Sequence, residues 1–139
     1  MSYQVVKAFY EKLTSDSPFN TSMGGSASSA GRIFHGIAPA NSTYPLAVFN
    51  LVLPEVQSTF ADTRTQSNFT FRVDIFTRKT LSSDNLFAAS DRLNTLLHKQ
   101  SFAVTDNGTA DCSIVSDGQL IPEEDFIRMT TDILVQCGP

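Results

Sequence analysis

Tryptophan is absent from this chain of 139 residues, and histidine and cysteine occur only twice each. A protein metal centre usually needs three or four suitably spaced ligands. His35, His98, Cys112 and Cys137 make no such group, so no metal site is expected. The two cysteines allow at most one disulfide and lack Cys-x-x-Cys spacing; two buried thiols are the simpler expectation. No run approaches the ~20 apolar residues that cross a bilayer. Met1-Ser2-Tyr3-Gln4 is not a basic stretch leading into an apolar one, so neither a membrane span nor a signal peptide is expected.

The motifs of common catalytic sites are missing as well. There is no Gly-x-Ser-x-Gly turn, so Asp74, His98 and a serine make a triad only on paper. Gly24-Gly25-Ser26-Ala27-Ser28-Ser29 lacks the lysine and the preceding strand of a phosphate-binding loop. Glu123-Glu124-Asp125, after Pro122, lacks the alternating oxygen ligands of a calcium loop and reads as a solvated turn. No catalytic residue, metal or cofactor is therefore assigned. His98 sits where a helix ends, a position that suits a cation at the dipole.

Charge is scarce, at 17% of residues, and unevenly spread. The net charge is −4. Residues 1–60 are balanced and residues 61–99 slightly basic, whereas residues 100–139 set Arg128 alone against Asp106, Asp111, Asp117, Glu123, Glu124, Asp125 and Asp132. Grip on nucleic acid needs clustered Lys and Arg, and Arg78-Lys79 is the only adjacent pair. Arg72, Arg78, Lys79 and Arg92 make either a small basic patch or partners for the acidic segment, on this chain or a neighbour.

The hydrophobic 41%, with eleven Phe, suffices for one core and one domain spanning 1–139. Tyr3, Val6, Phe9/Tyr10 and Leu13 predict a helix ended by Ser15-Asp16-Ser17-Pro18. Residues 20–31 read as a small, polar loop. A short strand at Arg32–His35 precedes a nearly continuous apolar strand, Tyr44 to Leu53, ended by Pro54, and residues 54–68 read as a long connection. Strict alternation predicts a strand over Phe69–Thr77. Ser82 or Ser83 is a candidate N-cap for a second helix whose stripe is Leu86, Ala89/Ser90, Leu93 and Leu96/Leu97. Strands at Phe102–Thr105 and Cys112–Val115 flank an Asn107-Gly108 turn, and Phe126–Cys137 alternates throughout. The order predicts an α+β fold, a mixed and mainly antiparallel sheet with two helices packed on one face.

The stretch Gly31-Arg32-Ile33-Phe34-His35, then Ala38-Pro39, then Tyr44-Pro45-Leu46-Ala47-Val48-Phe49, resembles the tail terminator (tail-completion) proteins of long-tailed bacteriophages. Element order extends the resemblance over most of the chain, from Val5 to Gln136. It implies a virion protein that forms a hexameric ring on the tail tube, ends tube polymerisation and offers the surface on which the head docks. The implied partners are further copies of this chain, the tail tube protein and head-tail connector or neck proteins, with DNA passing through the lumen without specific binding. The implied location is the tail or neck of the virion, assembled in the host cytoplasm, with no enzymatic activity.

A ring subunit needs two different complementary patches. Candidates are the second faces of the long strands, Phe76, Phe126 and Leu134, with Arg78, Lys79, Glu123, Glu124 and Asp125. The alternative for the apolar three is cover by a helix or loop of the same chain. A neck ring is the nearest other function, and a small-molecule-binding or hydrolytic domain using His35 or His98 a more distant one.

Overall fold

A computed structural model describes residues 2–22, 32–39, 44–58, 65–78, 84–104, 108–123 and 125–137. The elements are α1 (Ser2–Thr14), α2 (Ser17–Ser22), β1 (Ile33–His35), β2 (Leu46–Ser58), β3 (Thr65–Arg78), α3 (Asp84–Leu97), β4 (Gln100–Val104), β5 (Gly108–Pro122) and β6 (Phe126–Cys137). The strands form one sheet in the order β1-β2-β3-β6-β5-β4. Only β1 and β2 run parallel; every other neighbouring pair is antiparallel. The fold is α+β with a mixed, mainly antiparallel sheet, as its element order predicts.

Alternation decides which side of the sheet is inside. On β3 the odd residues Phe69, Phe71, Val73, Ile75 and Thr77 are buried, and on β6 so are Met129, Thr131, Ile133 and Val135. The register pairs these two sets directly, Ile75 with Met129 and Phe71 with Ile133, so they build one inward face. Val5, Phe9 and Leu13 of α1, Phe19 of α2, and Leu86, Ala89, Leu93 and Leu97 of α3 close over it. Phe9 is central: its ring stacks on Phe71 at 4.3 Å and leans on Phe49 and Phe102. Burying a side chain of this size contributes about 2 kcal/mol or more.

Several boundaries differ from the sequence reading, each for a local reason. Among the described residues there are three helices, not two. Asp16 does not merely follow α1; its Oδ2 accepts the Phe19 N–H at 2.9 Å and so caps α2. Residues 20–22 are therefore helical. Asn20 is buried, and its Nδ2 donates to the carbonyls of Thr14 and Asp16, tying the two helices together.

Pro54 does not end β2, which continues to Ser58 in register with β3. Beyond Phe49, β2 has no β1 residue beside it. Proline is tolerated on such an edge, where its missing N–H need break no ladder bond. The connection expected over 54–68 is thus largely an antiparallel ribbon. β5 is also far longer than Cys112–Val115, since register shifts between Ile114, Ser116 and Gln119 carry it on to Pro122. Cys112 is buried as expected. Ser82, Ser83 and Asn107 lie outside the described residues, as do Cys137's side chain and residues 23–31.

Candidate functional site

The even residues of β3 and β6 face away from the helices. Their register makes a row of cross-strand pairs: Arg72 with Asp132, Asp74 with Thr130, Phe76 with Arg128, and Arg78 with Phe126. Arg72 Nε donates to Asp132 Oδ1 at 2.9 Å and Nη2 to Oδ2 at 3.3 Å, which raises the Arg72 pKa. Thr130 Oγ1 donates to Asp74 Oδ1 at 2.6 Å. Asp74 is only 8% exposed although it faces outward.

Asp74 lines a cleft with Gly36, Ile37 and Ala38, which follow β1, and with Tyr44. Gly36, at φ +90°, turns the backbone in the left-handed region that glycine tolerates, and its N–H donates to the Phe49 carbonyl at 3.1 Å. The Tyr44 ring, just before β2, packs on Phe126 at 5.0 Å. Arg78 lies over both rings, 4.9 Å from Tyr44 and 5.6 Å from Phe126, an arrangement favoured by the negative ring faces. The cleft has a volume of about 350 Å³. Val48, Phe76 and Phe126 line it with Ile37, and Asp74 and Glu123 are its two carboxylates.

Four of the expected interface residues therefore converge: Phe76 and Phe126 in the cleft wall, Glu123 at its margin and Arg78 over the Phe126 ring. Glu123 also pairs with Arg128 at 3.4 Å, and its N–H donates to the Phe126 carbonyl at 2.8 Å. Asp125 is exposed in the same turn. Leu134 shares the outward face but lies further along β6, opposite Thr70 and Ser113. Lys79 and Glu124 lie outside the described residues. Phe76 and Phe126 are half-buried within their own chain.

The four cations do not make one patch. Arg92 is on the helix side and binds Asp16, not the acidic C-terminal segment, whereas Arg72 does pair with that segment through Asp132. Nor do Asp74 and His98 meet in a triad: Asp74 is held by Thr130, and His98 Nδ1 accepts the Ile114 N–H at 3.1 Å. His98 thus joins the end of α3 to β5 instead of acting as a cation at the dipole. His35 stacks on Phe49 at 4.9 Å. No cluster of three metal-ligating side chains occurs among the described residues. No helix there is long and apolar enough to cross a membrane.

Sequence reasoning missed Tyr44, Val48 and Asp74 as parts of the site. Asp74 carried a usable signal, being a carboxylate in the even phase of a strand whose odd phase is core. Tyr44 carried none, because its contact with Phe126 joins residues 82 positions apart.

No protein-family model and no curated protein matches this sequence. Among solved structures, one described as the virion of a native gene transfer agent particle superposes with a TM-score of 0.69 at 11% identity, over 96% of this chain and 93% of the other. A second solved chain gives a TM-score of 0.65 at 12% identity, covering 100% of this chain and 98% of that one. At such identities the likeness establishes a shared fold over the full length of the chain.

Proposed function

We propose that this chain is a non-enzymatic structural protein of a bacteriophage or phage-like particle, and within it a tail terminator. The observation that carries the reading is the full-length superposition on a component of a gene transfer agent virion. The Gly31–Phe49 resemblance points the same way, and that stretch includes β1, the start of β2 and Gly36, Ile37, Ala38 and Tyr44 in the lining of the outward cleft. In this reading the subunit closes a hexameric ring on the last ring of the tube, halts polymerisation and presents a docking surface to the neck. DNA passes through the lumen without specific contacts, consistent with a chain of net charge −4.

Negative-stain imaging and light scattering of the purified protein test the ring, and particles lacking it test the role. The expected results are closed rings, and tails of irregular, excessive length without the protein. Tails of normal length that fail to join heads would instead place the protein in the neck. A monomer that does not associate with tubes would refute both.

A further inference from the structure

The sheet is stepped at both of its sides. On one side β1 stands beside Ala47–Phe49 of β2, and among the described residues no strand borders Asn50–Ser58. On the other side β4 stands beside Gly108–Cys112 of β5, and no described strand borders Ser113–Pro122. The registers put β1 and β4 at opposite ends of the strands, so the two open stretches lie diagonally across the sheet. They are also equally tall: the first faces eight residues of β3, Arg72 to Thr65, and the second eight of β6, Leu134 to Ile127.

Exposed apolar residues gather at these stretches. Of the large ones among the described residues, Val52 lies on the first, and Val115 and Leu120 lie on the second. Phe87, which is 50% exposed, borders the second from α3. Asn94 and His98 line a groove with Ile114 and Val115, and Phe87 shares their helical face, because the α-helical period returns to one side at these spacings. Tyr3 and Ile37 lie elsewhere, on α1 and in the outward cleft. A strand edge flanked by apolar side chains is a template for one more strand.

We infer that Asn50–Ser58 of one copy adds as a strand beside Ser113–Pro122 of the next, joining the subunits into one continuous sheet. This rests on the ring reading. A ring contact joins two different surfaces of the same chain, and these are the two ends of one sheet. Direction fits: β2 runs antiparallel to β5 within the subunit, so copies set side by side with their helices on one face present these edges antiparallel. Centring one stretch on the other offsets neighbours by about five residues along the strands; six subunits absorb this offset if the strands tilt about 40° from the ring axis, within the range of closed sheets. Pro54 has no N–H to give, and the Ile114 N–H is already held by His98, so the new ladder is interrupted at both. Prolines and bulges of this kind discourage indiscriminate edge pairing and leave the apolar contact to select the partner.

Hydrogen exchange on the wild type, dilute and assembled, tests the strand pairing. Amides within Asn50–Ser58 and Val115–Ile121 should slow at least tenfold on assembly, and more than those of α1. Leu120→Lys should raise the concentration for half-assembly about tenfold, with a thermal melt confirming that it is folded. In a Val52→Cys, Leu120→Cys double variant, a short bismaleimide should give a ladder of covalent multimers that neither single variant gives. Wild-type assembly without slower exchange at the two stretches would overturn this contact and leave the ring reading standing, and a ladder without slower exchange would do the same by showing edges that touch without pairing. A wild type that never assembles would remove both the ring and the contact.

Discussion

Arg92 of α3 grips Asp16 at the head of α2 with both edges of its guanidinium, Nε to Oδ2 at 2.9 Å and Nη2 to Oδ1 at 2.8 Å. The same carboxylate caps α2 through the Phe19 N–H, so one side chain fixes a short helix and anchors it to a long one. Asp16→Ala should therefore cost about 2–3 kcal/mol, combining a lost cap with a lost charge-assisted pair, and lower the melting temperature measurably. Arg92→Ala should cost less, because the cap survives.

The pair also makes stability depend on pH. The Arg92 hydrogen bond, helped by the Phe19 N–H and opposed by burial, holds the Asp16 carboxyl below its ordinary 3.8. A depressed folded-state value means that the stabilisation is complete above the unfolded value, near pH 4, and is lost as pH falls through the folded one. Denaturant melts between pH 5 and 2 should show a smaller acid loss in Asp16→Asn than in the wild type, from a lower starting stability.

Phe9→Ala should be the most damaging single core change. It removes the ring stacked between α1 and Phe71 and leaves a void facing Phe49 and Phe102. The expected cost is about 3–5 kcal/mol, read by denaturant unfolding.

His98→Phe should preserve packing bulk but remove the acceptor for the Ile114 N–H. A cost of about 1–2 kcal/mol is expected, with faster hydrogen exchange at the Ile114 amide. Unchanged protection there would show that the bond contributes nothing.

Arg72→Ala, by contrast, should change stability by less than about 1 kcal/mol. Its partner Asp132 is well placed, but the Arg72 side chain is 45% exposed, and solvent and salt screen such pairs. A double-mutant cycle with Asp132→Ala in low and high salt measures the coupling, which should shrink as salt rises.

The periodic elements were legible in the sequence. Alternation from Phe126 to Cys137 matches β6 end to end, and the Leu86, Ala89, Leu93, Leu97 stripe is the buried face of α3. Elements without period were not. α2 is only six residues long and contains Pro18, so its signal lay in the Asp16 cap and not in hydrophobicity. β5 loses its alternation at two register shifts, which hid its length. Pro54 looked like a terminator because the sequence does not show that β1 ends beside Phe49 and leaves an edge.

The sequence by itself determined the α+β class, the order of the main elements and the phase of β3 and β6, because side-chain period is a local consequence of backbone geometry. It also determined that Phe76 and Phe126 fall on the face opposite the core. Only the tertiary structure decided that Gly36, Ile37 and Ala38 line a cleft on that face and that Tyr44 meets Phe126. Only it put Asp74 and Glu123 in the lining of one cleft. Those placements depend on contacts between residues far apart in the chain, for which no local pattern exists.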